Sequence, residues 1–344
     1  MKNIKTILAI DTSCDETSVA VTQEDRVLTN IIASQIEFHK EYGGVVPMLA
    51  KRMHLQLLDP AIKHALSRSR LTFSDLDAIA ITIGPGLAPA LEVGIEKAKE
   101  LAQKHKLPII TVNHLEAHLL SSLAKNSQGK PQRQFLFPLL GVLVSGRHTE
   151  LVLVHDFGKY EIIGQTQDDA AGEAFDKVAR MLNLGYPGGP IISEFAKHGK
   201  PIYKLPIPML HSNDLNFSYS GLKTACLYKL KELLPKAGKQ FFYDFSASFE
   251  QTIVLSITLK LDKAIRIYKP KQIVMGGGVF SNLRLRNAVR QLARKNGLPS
   301  LAPVSKKLFN DNAAMVGVCA WYQSKRCEPL KDITKIDRIP QYKL

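Results

Sequence analysis

The chain has 344 residues, 45% of them hydrophobic, which is enough for a large core and two lobes. With 46 lysines and arginines against 31 acidic residues, its formal net charge of +15 indicates a polyanionic partner such as a nucleic acid. The four cysteines lack paired short spacings, the first apolar run stops at Asp11, and no apolar run is long enough to span a bilayer. These features exclude a disulfide framework, a signal peptide and a membrane span, and so predict a cytoplasmic protein with no membrane partner.

A strand–turn–strand pattern occurs twice, with more than one hundred residues between the copies. The first copy covers residues 6–21 around a polar turn at 11–17, and the second covers 139–154 around a turn at 145–149. This recurrence predicts a duplicated domain, in which each copy opens one lobe. A nucleotide bound between two such lobes would contact a turn from each.

Strand and helix signals alternate between the two copies. Residues 76–83 and 108–112 are predicted to be buried strands, with a helix through 97–102 between them. The polar stretch 125–134 is the predicted linker. It divides the chain into an N-terminal lobe, residues 1–130, and a C-terminal lobe, residues 131–344. The alternation indicates an α/β protein with a largely parallel or mixed sheet.

The strand at 108–112 leads into two histidines, His114 and His118, whose spacing places them on one face of a helix. Two imidazoles arranged in this way can bind one metal ion. Glu116 stands two residues after the first histidine and points away from that face, so the pair is not the His-Glu-x-x-His motif of a zinc protease. Taken alone, two ordinary histidines on an amphipathic helix would be the better interpretation.

Two features of the second half are candidate parts of a ligand site. The turn Ser145, Gly146 and Arg147 can hold phosphate through its backbone N–H groups, or it is an ordinary hairpin turn. Asp176 lies just off the apolar stripe of a helix predicted at 171–184, and a loop at 185–190 follows that helix. A solvated helix acid is the alternative interpretation of Asp176.

A strand at 272–275 ends in three glycines, after which a helix starts near Asn282. The glycines allow a ligand to approach the backbone, but the pattern is neither a Rossmann fingerprint nor a Walker A motif. Asn282 either holds an adenine or ribose or caps the helix. Asp311 precedes the last predicted helix, about 311–325. It is either that helix's N-cap or an oxygen ligand that completes the two-histidine site.

Taken together and in this order, eight segments resemble the tRNA adenosine threonylcarbamoyltransferases, a family once described as O-sialoglycoprotein endopeptidases. The segments are DTSCDET (11–17), YGGVVP (42–47), GPGL (84–87), HLEAH (114–118), DDAAGEAFDK (168–177), YPGGP (186–190), FSYSGLK (217–223) and DN (311–312). The resemblance extends from about residue 6 to 320. In length and make-up the chain is similar to the bacterial branch.

The resemblance implies an actin-like ATPase (ASKHA) fold, with two duplicated ribonuclease-H-like lobes around a nucleotide cleft. It also implies transfer of a threonylcarbamoyl group from threonylcarbamoyl-adenylate to tRNA. The acceptor is N6 of the adenosine 3′ of the anticodon in tRNAs that read ANN codons. One divalent metal ion per subunit would be bound, with iron expected and zinc as the alternative. The metal ligands would be His114, His118 and Asp311, the last supplied by the final helix.

The resemblance further implies a substrate site and partners. Adenylate contacts would come from Leu143, Val144, Ser145, Gly146, Arg147, Asp176, Gly189 and Asn282. The partners would be tRNA, a small paralogue that lacks the metal site, and a P-loop ATPase subunit. The basic stretch 284–307 can hold the anticodon arm of the tRNA. No general base is assigned, and Asp15, Glu16 and His148 are no more than candidates for that role.

Four positions depart from the family's usual pattern. Arg147 replaces a glycine, Ser193 replaces a frequent aspartate that contacts the substrate, Ala313 replaces a frequent glycine, and Glu92 lies in an otherwise apolar stretch. Arg147 keeps open the alternative of a non-catalytic nucleotide-binding scaffold subunit. A small-molecule O-carbamoyltransferase is a second alternative, although such enzymes carry a large additional domain. An Hsp70-like or sugar-kinase ATPase is the third.

Overall fold

A computed structural model of the chain describes residues 4–233, 238–330 and 332–344. The chain forms two compact units. Met1–Phe135 and Ala302–Leu344 make up the first unit, and Leu136–Leu301 makes up the second.

Ten strands and ten α-helices are described, and short 3-10 turns connect several of them. The strands are β1 (Thr6–Asp11), β2 (Glu16–Gln23), β3 (Arg26–Ser34), β4 (Ala78–Gly84), β5 (Ile109–Asn113), β6 (Leu139–Val144), β7 (Thr149–Asp156), β8 (Lys159–Gln165), β9 (Gln272–Gly276) and β10 (Ser300–Leu301). The helices are α1 (Ile36–His39), α2 (Pro47–Ser69), α3 (Ala88–His105), α4 (His114–Leu120), α5 (Ala171–Met181), α6 (Gly188–Ala196), α7 (Ser220–Leu233), α8 (Lys239–Tyr268), α9 (Leu283–Lys295) and α10 (Ala313–Ser324).

The first unit is built on a five-stranded sheet in the order β3-β2-β1-β4-β5. The first three strands form an antiparallel meander, whereas β4 and β5 run parallel to β1. Successive side chains of a strand point to opposite faces, so Leu8 and Ile10 pack with α2 and α3, while Ala9 faces Gly317 of α10. Because both faces are covered, β1 and β4 are buried along their whole length, as the apolar run at 76–83 predicted.

The second unit repeats this topology with the sheet order β10-β9-β6-β7-β8. Its antiparallel meander is β6-β7-β8, and β9 and β10 run parallel to β6. The 30-residue helix α8 packs with α6 and α9, and its Phe249 meets Phe175 of α5 at 5.2 Å between ring centroids. The duplicated strand–turn–strand pattern was therefore a correct indication of two similar sheets.

The C-terminal segment differs from the predicted division into residues 1–130 and 131–344. Residues from Ala302 onward group with the first unit, because α10 buries Met315, Val318 and Cys319 and packs against β1 and β2. Gly317 permits this approach, since a Cβ at that position would lie 2.6 Å from the Thr22 hydroxyl. The last helix belongs to the second predicted lobe by chain order and to the first unit by packing.

Several further boundaries differ from the sequence-based expectations. The strand β3 was not predicted, because its half-buried residues show no regular alternation. The loop expected at 185–190 is helical from Gly188 onward. Within the described residues, we find no helix with the length and apolar character needed to cross a membrane.

Thiol labelling tests the packing of both units. Burial raises the pKa of Cys226 to about 12 and also raises the pKa of Cys319, whereas Cys327 is exposed. A thiol with a pKa near 12 is ionised in roughly one molecule in ten thousand at about pH 8, and the thiolate is the reactive form. We therefore expect iodoacetamide to label Cys327 well before Cys226 or Cys319, as read by peptide mass spectrometry. A Cys327→Ser variant is the control that identifies the rapidly labelled thiol. If Cys226 of the folded protein were labelled as fast as Cys327, this packing would be contradicted.

Candidate functional site

The histidine helix α4 starts at the carboxyl end of β5, where Asn113 is its N-cap. The Asn113 Oδ1 atom accepts hydrogen bonds from the backbone N–H groups of Leu115 at 2.8 Å and Glu116 at 3.3 Å. This cap makes His114 the first helical residue and places His118 one turn later. Both histidines are buried, and their rings meet edge to face with centroids 4.6 Å apart.

Asp311 lies beside both histidines. Its Oδ1 atom is 3.3 Å from the Nε2 atom of His114 and 3.1 Å from that of His118. One ligand atom from each of the three residues falls within a span of 4.8 Å. Ligand atoms each about 2.1 Å from a shared metal ion lie roughly 3.0–3.4 Å apart at octahedral to tetrahedral angles. Both distances to Asp311 match this separation, and two imidazoles with one carboxylate suit iron, zinc or manganese.

The N-cap interpretation of Asp311 is wrong. Asn312 is the cap of α10, and its Oδ1 atom accepts a hydrogen bond from the backbone N–H of Met315 at 3.1 Å. The carboxylate of Asp311 is therefore available to the histidines. Glu116 is directed elsewhere, as its position predicted, and its carboxylate accepts hydrogen bonds from Gln323 and Arg326.

Buried carboxyl groups surround this cluster. Burial raises the pKa of Glu16 to about 9, with repulsion from Asp311, Asp15 and Asp11 adding to the shift. Burial and Asp311 likewise raise the pKa of Asp15. Burial lowers the pKa of His114, but attraction to Asp311 and Asp11 outweighs it and raises that pKa to about 10. The ionised forms of these crowded carboxyl groups are thus disfavoured, and a divalent cation would stabilise them.

Asp11 was not among the predicted site residues, yet it adjoins the first histidine. Its Oδ2 atom lies 3.6 Å from the Nδ1 atom of His114 and has no hydrogen-bond partner within the described parts of the chain. A carboxylate facing the second ring nitrogen of a metal-binding histidine orients the ring and raises its basicity. An acid at the carboxyl end of a buried strand was the available sequence signal.

The predicted adenylate residues lie in the second unit, and the first of them follow the carboxyl end of its sheet. β6 and β9 are parallel neighbours, with Leu143 opposite Gly276. Gly277 has φ 97°, and a Cβ there would lie 2.4 Å from the carbonyl oxygen of Val144. A glycine is therefore required where the triple-glycine turn passes the end of β6.

The hairpin turn after Val144 satisfies part of its own hydrogen bonding. The hydroxyl of Ser145 accepts from the backbone N–H groups of Arg147 at 3.3 Å and His148 at 3.1 Å. The Ser145 carbonyl also accepts from Gly172 at 3.3 Å, which seats the turn on the first turn of α5. Gly146 faces open space, with no atom within 4 Å of a Cβ built on it. Gly146 is thus an exposed part of the predicted phosphate-binding turn.

Asp176 holds the start of α6 in place. Its Oδ1 atom accepts a hydrogen bond from the backbone N–H of Gly188 at 2.7 Å, and a Cβ at Gly188 would lie 2.6 Å from the Cα of Asp176. Gly189 has no atom within 4 Å of a Cβ built on it. Asp176 is therefore tied to the YPGGP segment, and Gly189 lies next to this contact with free space around it.

Asn282 lies in a polar cluster that joins α6, α8 and α9. Its Oδ1 atom caps α9 by accepting from the Leu285 N–H at 2.8 Å. Its Nδ2 atom donates to the Ser193 hydroxyl at 2.7 Å and to Glu250 Oε1 at 2.5 Å. The pKa of Glu250 is raised by burial. Sequence analysis did not identify Glu250, because one acid within a long helix gives no signal of its partners.

Comparisons with known proteins agree with this architecture. A sequence model of the family described as tRNA N6-adenosine threonylcarbamoyltransferase matches residues 26–318. A protein of that name from Clostridioides difficile (strain 630) is 44% identical over 317 residues, covering 92% of this chain and 92% of the relative.

Two solved structures show a likeness of fold alone. Full-length HypF, in a phosphate- and nucleotide-bound form, has a TM-score of 0.59 and 15% identity. The match covers 94% of this chain and 47% of the HypF chain. The (R)-2-hydroxyglutaryl-CoA dehydratase component A of Acidaminococcus fermentans matches 93% of this chain and 99% of its own, with a TM-score of 0.52 and 14% identity. Together with the two similar sheets, these neighbours confirm the expected actin-like ATPase fold.

Metal titration tests the three-residue cluster. Replacing His118 with alanine removes one of three convergent ligand atoms, so we expect the Kd for Co²⁺ to rise by more than about 100-fold. His155→Ala is the matched control, because His155 is exposed and pairs only with Glu161 among the described ion pairs. The Co²⁺ absorption spectrum reports binding. Equal Co²⁺ affinity in the two variants would contradict the assignment.

Proposed function

This chain belongs to the tRNA N6-adenosine threonylcarbamoyltransferase family, and we propose that its reaction depends on a metal ion bound by His114, His118 and Asp311. The protein is therefore an acyltransferase that transfers a threonylcarbamoyl group to N6 of an adenosine in tRNA. The observation that carries the site assignment is the convergence of three ligand atoms from distant parts of the chain.

The donor in this proposal is threonylcarbamoyl-adenylate, and the acceptor is the adenosine 3′ of the anticodon in tRNAs that read ANN codons. The exocyclic amine attacks the carbamoyl carbonyl carbon, so a C–N bond forms, the C–O bond to the phosphate breaks, and AMP leaves with loss of one amine proton. A bound divalent ion would supply positive charge that polarises substrate oxygens. Because the amine is a weak nucleophile, orientation and polarisation matter more than a strong base.

The adenylate is proposed to bind the second unit. Leu143, Val144, Ser145, Gly146 and Arg147 would receive its phosphate end, and Gly146 supports this role because it is open to a ligand. Asp176, Gly189 and Asn282 would surround the nucleoside, with Gly189 contributing its backbone. The Ser193–Asn282–Glu250 cluster supports this, since it places acceptors for ribose hydroxyls beside α6.

Iron is the proposed native metal and zinc is the alternative. Two imidazoles and one carboxylate leave coordination positions open for substrate, an arrangement typical of non-haem iron and also used by catalytic zinc. Elemental analysis of protein purified without chelators distinguishes the two. The cytoplasm is the proposed location, because the substrate tRNA is there.

The first unit exposes an apolar surface that would suit a partner subunit. Phe38, Tyr42, Met48 and Leu55 have exposed fractions of 51%, 63%, 65% and 61%. Met48 and Leu55 are seven residues apart in α2 and so share one helix face. We propose that the small paralogue binds this surface by helix packing. A P-loop ATPase would join the complex as a further subunit.

The basic residues of α9 are proposed to contact tRNA. Arg290, Arg294 and Lys295 lie on this helix of the second unit, and the last two are exposed. Arg284 is engaged with Gln251 and Glu250. Lys306 and Lys307 belong to the first unit, so the basic stretch seen in the sequence is divided between the two units.

A transfer assay tests the proposed function. The protein is incubated with its partner subunits, the adenylate synthase, threonine, bicarbonate, ATP and tRNA, and threonylcarbamoyladenosine is measured by nucleoside mass spectrometry. We expect product with the wild type and with His155→Ala, and a loss of more than about 100-fold with His114→Ala, because a metal ligand is removed. Undiminished transfer by His114→Ala would refute the metal proposal.

The same assay separates the alternatives. A scaffold subunit would yield no product even with partners shown to be active with a relative, and product from Arg147→Gly alone would identify Arg147 as the cause. A small-molecule O-carbamoyltransferase would leave tRNA unmodified and would consume carbamoyl phosphate in a parallel incubation that contains it. An ATPase of the Hsp70 or sugar-kinase type would hydrolyse ATP without tRNA.

Paralogue binding tests the exposed apolar surface. Leu55→Glu places a charge in the centre of the proposed interface, so we expect the Kd for the paralogue to rise by at least about tenfold. Leu259→Glu is the matched control, because Leu259 is also exposed but lies in the second unit. Isothermal titration calorimetry gives the affinities, and Co²⁺ binding should be unchanged in both variants. Equal affinity for the paralogue in both variants would place the interface elsewhere.

A further inference from the structure

The C-terminal strap, residues 332–344, lies beyond the span matched by the family model. Just before it, Leu330 forms an antiparallel bridge with Ile109 at the start of β5. Ile336 of the strap is 3% exposed and belongs to the hydrophobic core of the first unit, against which Ile333 and Tyr342 also pack. The strap is therefore an integral part of the first unit.

Farther along, the strap crosses the carboxyl end of β4. The backbone N–H of Ile339 donates to the carbonyl of Ile83 at 2.7 Å, and Gly86 donates to the carbonyl of Pro340 at 3.2 Å. Gly84 lies between these two contacts, and a Cβ on it would lie 1.8 Å from the carbonyl oxygen of Ile339. The strand end thus accommodates the strap only because residue 84 lacks a side chain.

An ion-pair network joins the strap to α2 and α3. Glu92 of α3 pairs with Arg338 of the strap at 3.3 Å and with Lys51 of α2 at 2.8 Å. Glu92 is the acid that departs from the apolar pattern of its segment, and these contacts give it a structural role. Such partly exposed pairs contribute little stability, so the strap is held mainly by its backbone hydrogen bonds and by the burial of Ile336.

Near Lys343, the strap contacts the residue that caps the histidine helix α4. The Nδ2 atom of Asn113 donates a hydrogen bond to the carbonyl of Lys343 at 3.0 Å, and Asn113 is 6% exposed. The other end of the same amide, Oδ1, caps α4 through Leu115 and Glu116. The side-chain amide of Asn113 is therefore held at both ends, between the strap and the first turn of α4.

We propose that the C-terminal strap is a positioning element for the metal site. The Lys343 carbonyl accepts a hydrogen bond from the side-chain amide of Asn113 and so holds this amide in place. Because the same amide caps α4, the strap also determines where α4 begins and how the ring of His114, the next residue, is oriented. Outer contacts that orient metal ligands typically contribute a factor of about 10–100 in metal affinity. This inference rests on the proposed metal site. It adds to that site a segment of thirteen residues, 332–344, that lies outside the span matched by the family model.

Two variants of the full chain remove the contact in different ways. Deletion of residues 341–344 removes the acceptor, and Asn113→Ser keeps a neutral capping oxygen but is too short to reach Lys343. Lys343→Ala is the matched control, because it retains the backbone carbonyl. Co²⁺ affinity and absorption spectrum are measured for each protein. Hydrogen exchange of the Leu115 and Glu116 amides is measured in the metal-free state, and circular dichroism verifies folding.

We expect the Kd for Co²⁺ to rise by about tenfold in both the deletion and Asn113→Ser, with an altered absorption spectrum. Lys343→Ala should match the wild type. Faster exchange of the Leu115 and Glu116 amides should accompany the weaker binding. Wild-type affinity and wild-type exchange in the deletion variant would overturn the inference while leaving the metal site intact. If the wild type bound no Co²⁺, the metal site itself would fail, and amide exchange would still decide whether the strap orders α4.

Discussion

The approach of one carboxylate to two histidines is the constraint on which the first unit depends. Asp311 and His118 are 193 positions apart in the chain, yet their ligand atoms lie 3.1 Å apart. This contact requires that α10 packs on the first sheet, that Asn312 rather than Asp311 caps α10, and that α4 starts at His114. Burial and mutual repulsion disfavour the ionised forms of Asp15 and Glu16 beside this site, and a bound cation would relieve that cost. Packing and electrostatics therefore support one cation at this position.

The duplicated sheet explains why the chemistry lies at strand ends. In both units a meander is extended by two parallel strands, so polar turns collect where the parallel strands end. The first unit places Asp11, Asn113 and the histidine helix there. The second unit places the Ser145 turn and the glycines after β9 there. One topology thus provides a candidate metal site in one unit and a candidate nucleotide site in the other.

Local departures from the family's pattern have different structural consequences. Glu92 is paired with Lys51 and Arg338 and so belongs to the packing of the strap. Ser193 lacks the carboxylate of the usual aspartate, but the carboxylate of Glu250 accepts a hydrogen bond from the Asn282 amide that also contacts Ser193. Arg147 is exposed, and its backbone N–H still closes the turn through Ser145. Nothing in the structure explains Ala313.

The sequence by itself determined the class of fold, the duplication, the histidine pair and the family, because strand periodicity, helical spacing and motif order are local or ordered along the chain. It left Asn282 and Asp311 with two interpretations each. Their ligand roles are proposals, but only the tertiary structure showed that Asn282 caps its helix and that Asp311 does not, since a cap is identified by the backbone N–H group that donates to its side-chain oxygen. It also revealed Asp11, Glu250 and the strap contact to Asn113. Such contacts arise from strands and helices far apart in sequence, where neither residue of a pair signals the other.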